Sequence, residues 1–350
     1  MSVLSGLLTH LKELVELKPN PPSRHWHFFV LGGVCVGLPV LIGSFVGGFS
    51  QSILAAMGAI VILYLPADRL SKRMVTLSVC SFGFLACFAL GMLSALYPWL
   101  TVMMLAFTTF LAVTVCRYFS IPQPAGFFFV LISCVASHIP YEPAKLFENI
   151  GLVAAGGLLS CVVALFYSFI FPAKPATEVQ RQPPDVVNIT LAAAVISVCV
   201  SGSLALGMLL GLDNPYWVPI SCMAILQGIN FKQIWHRKLH RITGTLLGLG
   251  VVWLIFSFNP SHLQLAIILM LLQGTIEFLV ARNYALAVMF ITPLTVIFAE
   301  ANSTTLAPIE LVAIRFVDIC LGSFIGFVGG WLLHRSRWVA GLEDRLKKGR

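Results

Sequence analysis

Arg315 and Asp318 stand three residues apart in "ELVAIRFVDICLGSFIGFVGGWLL", Glu310 to Leu333, a stretch otherwise apolar enough to cross a bilayer. A guanidinium can grip a carboxylate through two parallel hydrogen bonds, and a carboxyl can carry a proton or balance a nearby cation. In mid-bilayer each charge costs at least ~2.5–3.5 kcal/mol on insertion scales. Counting 1.5 Å per residue from Glu310 puts Arg315 about 7–8 Å and Asp318 about 12 Å into the span. At spacing i, i+3 the two share a helix face, which must look onto protein or a water-filled cavity. Two readings follow: an Arg–Asp clamp that orients the helix, or an anion-binding Arg315 with Asp318 as charge partner or proton carrier.

Other polar groups sit in apolar surroundings. Glu277, in "LQGTIEFLVAR", reads either as a helix-end pair with Arg282 or as a second proton site. In "GLDNPYWVPISCMAILQGIN", Gly211–Asn230, Asp213 or Asn214 can cap a helix with Pro215 in its first turn. Tyr216 and Trp217 then belong either to an interfacial aromatic belt or to a substrate site. Pro219 breaks the span a turn later, and such breaks are tolerated where they line a cavity, with Gln227 a further polar group there. Gly322, Gly326 and Gly330 form a seam that lets another helix approach closely. The nine cysteines contain no CxxC pair and read as core residues, so neither a metal nor a cofactor is expected. His138 and His262 look like loop residues, and no Ser/His/Asp set emerges, which argues against an enzyme.

The elements that must position these groups follow from composition. The chain has 350 residues, 58% hydrophobic and 10% charged, with a mean hydropathy of +0.93. A soluble domain carries roughly a quarter charged residues, so the fold class is an all-α, polytopic membrane protein. At about 20 apolar residues per span, helices are expected near 28–48, 50–66, 74–95, 99–118, 124–140 and 148–171. A second set is expected near 187–211, 215–230, 241–258, 262–281, 284–300 and 308–334. The first run reads as a genuine span and not a cleaved signal. These divide the chain into an N-terminal segment (1–27), a first six-helix unit (28–171), a linker (172–186), a second unit (187–334) and a basic tail (335–350).

Lys and Arg fall almost entirely in alternate loops; the intervening loops contribute Lys145 alone. That bias places both termini in the cytoplasm, requires an even number of spans, and accounts for the net charge of +8 without nucleic acid. Arg237, Lys238 and Arg241, taken as loop residues, could also concentrate anions at the inner mouth or meet anionic lipid. In each half a basic stretch precedes the third helix ("ADRLSKR"; "FKQIWHRKLHR"), one Arg follows the fourth, and the sixth is glycine-rich. Six helices per copy make the two copies parallel, with a path along their shared axis. The first copy has no counterpart of Arg315 and Asp318, which suits a single site.

Taken together, "YWVPISCMAILQ", "HRKLHRITGTLLG" and "IRFVDICLGSFIG" resemble the fusaric-acid-resistance (FUSC) family, which includes bacterial aromatic acid exporters and is related to plant aluminium-activated malate transporters. The positions that match its pattern are Tyr216, Trp217, Arg241, Gly244, Thr245, Gly248, Arg315 and Gly322. Larger members carry a cytoplasmic domain after each bundle, whereas here there is a linker and a short tail. The resemblance implies proton-coupled export of small organic anions, aromatic carboxylates among them, across a bacterial inner membrane. It also implies a periplasmic adaptor of the membrane-fusion type and bundles that meet around a pore, within one chain or in a homo-oligomer. The alternatives are a passive anion channel, an envelope scaffold without transport, and a lipid-modifying membrane enzyme.

Overall fold

The computed structural model describes residues 25–172, 184–228, 231–300 and 308–335. The N-terminal segment, most of the linker and the basic tail, each expected on the cytoplasmic side, lie outside the described residues. Among those residues there are twelve α-helices and no strand. The first half comprises α1 (Trp26–Val46), α2 (Phe49–Ala59, continued by a 3-10 turn, Ile60–Tyr64), α3 (Leu70–Ser94), α4 (Pro98–Tyr118), α5 (Phe127–Ala136) and α6 (Pro143–Ile170). The second comprises α7 (Val186–Leu209), α8 (Trp217–Leu226), α9 (Phe231–Ser257), α10 (His262–Leu279), α11 (Tyr284–Glu300) and α12 (Pro308–Arg335).

The helix ends follow local chemistry. Pro98 and Pro143 occupy first turns, where a missing N–H costs nothing. Ser261 and Gln264 close a capping box on α10, so His262 opens a helix instead of lying in a loop. Gly47 ends α1 in the left-handed region (φ 81°), which glycine enters without a Cβ clash. Neither Asp213 nor Asn214 caps α8: its N-cap is Tyr216, with no side-chain bond, and Asn214 instead bonds His138. The third helix of the second half starts at Phe231, ten residues before its expected Arg241. Lys, Gln, Arg and Leu are good helix formers and no Gly or Pro interrupts 231–243, so the basic stretch is helical and not a loop.

Eight helices are long and apolar enough to cross a bilayer; α2, α5, α8 and α11, the second and fifth of each half, are the shorter ones. The ten residues of α5 and of α8 span about 15 Å against a hydrocarbon core of about 30 Å. Such half-length pieces leave helix ends at membrane depth, tolerated where they line a cavity or are buried in protein.

Packing runs through small residues. A Cβ on Gly322 would collide with the Val218 carbonyl, and one on Gly326 would lie 2.7 Å from the Cys222 carbonyl, so α12 rides directly on the α8 backbone. Gly58 and Gly156 seat α6 on α2 in the same way. Gly244 faces the Ala285 carbonyl (2.5 Å from its would-be Cβ) and Gly248 faces that of Met289 (2.7 Å), which joins α9 to α11. Across the halves, α1 packs on α10 through Gly33 and Gly37, and α4 packs on α7, where Ser197 donates to the Ala106 carbonyl at 2.6 Å. One apolar core joins α1, α2, α3 and α10; a second joins α4, α7 and α8.

Overfilling a tight contact costs about 1–3 kcal/mol. Gly322→Ala should therefore lower the thermal unfolding midpoint in detergent, while Gly250→Ala, with open space at its Cβ, should not. Equal midpoints for the two variants would show that α12 does not depend on that approach.

Candidate functional site

A cavity of about 2040 Å³ opens between the halves, walled by segments of both. It meets the 3-10 end of α2, the stretch before α5, both ends of α8, and the facing sides of α9, α10, α11 and α12. Of the expected site residues, Arg315, Tyr216, Trp217, Gln227, Glu277, Arg241 and Thr245 lie on this wall. Gly244, Gly248 and Gly322 lie behind it, where they set helix spacing.

Arg315 is 4% exposed; its guanidinium carbon sits 3.6 Å from the Trp217 ring centroid and its Nη2 donates to the Thr295 carbonyl at 3.3 Å. A guanidinium over an indole face is attracted by the ring quadrupole, more strongly when desolvated. Trp217, 5% exposed, and Tyr216, 7% exposed, are buried, so they are not belt residues. Their rings lie 5.0 Å apart, and His138 caps the pair 4.4 Å from Tyr216. Burial lowers the His138 pKa and the Asn214 bond works against that shift.

Asp318 stands behind this wall, near enough to Arg315 for the two charges to couple. It is 0% exposed, absent from the wall, and neither carboxyl oxygen has a hydrogen-bond partner among the described residues. Arg315 and Asp318 therefore share no hydrogen bond, and their coupling acts through space. Three residues leave side chains about 60° apart around a helix, enough for Arg315 to meet the cavity while Asp318 turns into packing. Glu277 does reach the wall, where Gln273 donates to it at 3.3 Å. Arg282 does not pair with it: Nη1 donates to the Phe278 carbonyl at 2.8 Å and the guanidinium lies over the Phe278 ring.

The second-half basic stretch divides by face. Arg237 and Arg241, four apart on α9, both reach the cavity. Lys238 turns away, its ammonium 4.0 Å from the Trp235 ring and 4.2 Å from that of Phe327. Arg237 closes a junction between the halves. It donates to Gln123 Oε1 at 2.8 Å, Gln123 donates to the Gln227 carbonyl at 2.9 Å, and Gln227 donates to the Pro124 carbonyl at 2.8 Å. Arg241, 7% exposed, donates to Ser221 Oγ at 3.3 Å. From the first half, Arg73 enters the wall while donating to Ser168 Oγ at 2.9 Å and to the Phe171 carbonyl at 3.2 Å.

Gln123 and Arg73 escaped the sequence reading. Gln123 lies in "SIPQPAG", whose paired prolines mark backbone that cannot be lipid-exposed; that signal was present and unused. Arg73 differs from a loop cation only through its partners on α6, which a sequence does not display. All nine cysteines carry free thiols, and no group of three metal-ligating side chains occurs among the described residues.

Residues 190–329 match the family model described as fusaric acid resistance protein-like. At 19% identity over 474 aligned positions, the chain is similar to the uncharacterized membrane protein YvaC of Bacillus subtilis (strain 168), covering 93% of this chain and 75% of that protein. No solved structure matches the chain. It is a multi-pass membrane protein whose residues 190–329, which hold the three motifs, are similar to fusaric acid resistance-like proteins.

Proposed function

We propose that the protein exports small organic anions, aromatic carboxylates foremost, across a bacterial inner membrane, driven by the proton gradient. One observation carries this reading. The cavity wall holds Lys72, Arg73, Arg237, Arg241 and Arg315 against the carboxylates Asp68 and Glu277, and Asp68 is bridged to Lys72 at 2.8 Å. A wall with surplus positive charge between low-dielectric surfaces raises the local concentration of anions. Arginine is the side chain suited to hold a carboxylate there. The Arg315–Trp217 stack adds an aromatic surface at the same point.

Proton coupling needs an acid on the route. Glu277 satisfies this by position and Asp318 does not, so Glu277 takes the coupling role and Asp318 stands behind the wall.

The architecture proposed for this work is two parallel six-helix repeats with both termini cytoplasmic. Its support is that the same pairings recur in each half: second helix on sixth, third on fifth and sixth, first on second. In that orientation the cavity residues next to the basic stretches, such as Arg73 and Arg237, stand at the cytoplasmic mouth. Arg315, about 10 Å along α12 from Pro308, lies towards the far side. In a double-membraned cell the cargo would pass to a periplasmic adaptor of the membrane-fusion type. On this reading the protein is a transporter and not an enzyme.

Removing one partner of a buried charge pair costs about 2–5 kcal/mol. Arg315→Ala should accordingly lower uptake of labelled benzoate into inverted vesicles at least about thirtyfold with expression retained. Arg315→Lys should restore it only in part, since an ammonium cannot form the planar fork. Normal transport by a folded Arg315→Ala protein would remove the residue from the site. With the membrane potential clamped at zero, an imposed pH gradient should drive flux, and Glu277→Gln should abolish that dependence. Flux indifferent to the gradient would replace the exporter with a passive channel.

A further inference from the structure

Arg241 is buried beyond nine-tenths, yet the acceptor it is seen to use is neutral: Nη2 donates to Ser221 Oγ at 3.3 Å. Its Nε–H is buried without an acceptor among the described residues. A buried arginine that serves only to fix helices is expected to have its donors satisfied, because a buried donor left unmade is destabilising. Here an unmade donor sits on a residue that lines the cavity.

The position of that donor relative to Arg315 gives it meaning. Trp217 and Ser221 are four apart on α8 and share one face, about 6 Å apart along the axis. Arg315 of α12 rests on Trp217, and Arg241 of α9 rests on Ser221. Two guanidiniums from different helices are therefore moored one turn apart along a single face of α8, and both reach the cavity. The glycine seams explain how they stay there. Gly322 fixes α12 against α8, two turns on from Arg315, and Gly244 fixes α9 against α11, one turn on from Arg241. Of the nearby acids, Asp68 engages Lys72, Glu277 accepts from Gln273, and Asp318 couples to Arg315 from behind the wall, which leaves Arg241 as the guanidinium with an unmade donor.

Like charges one turn apart in a poorly solvated wall repel each other. A ligand with one carboxylate relieves one of them; a ligand with two acidic groups relieves both and supplies the acceptor that Nε lacks. We propose that Arg241 and Arg315 form a paired subsite for a small dianion, one acidic group on each guanidinium, and that Arg241 selects such a dianion over a monocarboxylate. This rests on the reading of the cavity as an anion-transport site and narrows its cargo.

The test uses two probes that differ by one carboxylate on the same ring, benzoate and isophthalate, titrated calorimetrically into the full-length protein in nanodiscs. The wild type should bind isophthalate at least about tenfold more tightly. Arg241→Gln should weaken isophthalate at least about tenfold more than it weakens benzoate, and Arg241→Lys, which keeps charge without the fork, should fall between. Equal wild-type affinities would overturn the dianion subsite while leaving the anion reading intact. Equal weakening of both probes by Arg241→Gln would overturn the selecting role. Binding of neither probe would overturn both readings. Should Arg241→Gln not fold, as judged by gel filtration, the wild-type ratio and Arg241→Lys decide the matter.

Discussion

The contact on which the site depends is backbone against backbone: α12 lying on α8 through Gly322 and Gly326. In hydrocarbon, apolar side chains give no preference for protein over lipid, so helices associate by close van der Waals approach and by hydrogen bonds. A Cβ at Gly322 would force the helices apart. Arg315 sits on the same α12 face, two turns before Gly322, so the separation set by the seam also sets the height of its guanidinium above Trp217. Burying that cation costs several kcal/mol on simple insertion scales. The indole face and the Thr295 carbonyl offset part of this, and the cavity beside them supplies the rest of its environment.

Much of this arrangement was legible in the residues. The positions of the twelve described helices follow from long apolar runs punctuated by Pro, Gly and Ser, but eight of them, and not the twelve expected, are long and apolar enough to span a bilayer. Where sequence and structure differ, the cause is that side-chain character does not fix backbone state. Arg237, Lys238 and Arg241 were assigned to a loop because they are charged, yet their backbones are those of good helix formers. Tyr216 and Trp217 fitted an interfacial belt by composition; only the third dimension reveals that α12 and the α5–α6 turn cover them.

Arg315, Glu277 and Gln227 come from three different helices and reach one wall, which follows from the cost of leaving polar groups in lipid. Polar residues far apart in sequence gather because a shared cavity costs less than exposure of each to lipid. Asp318 is the exception. Its carboxyl has no hydrogen-bond partner among the described residues, and helical spacing alone could not separate a residue on the wall from one about 60° behind it.

The crossing of partners between halves has a bearing on biogenesis. α1 packs chiefly on α10 and α4 on α7, so neither six-helix half completes its own packing. A ribosome delivers the N-terminal half first. α4 waits for α7 and α1 for α10, and until those segments insert, both early helices present glycine-lined or serine-accepting faces to lipid. Assembly is then a closing step late in synthesis, in which one set of contacts completes both halves and encloses the cavity between them.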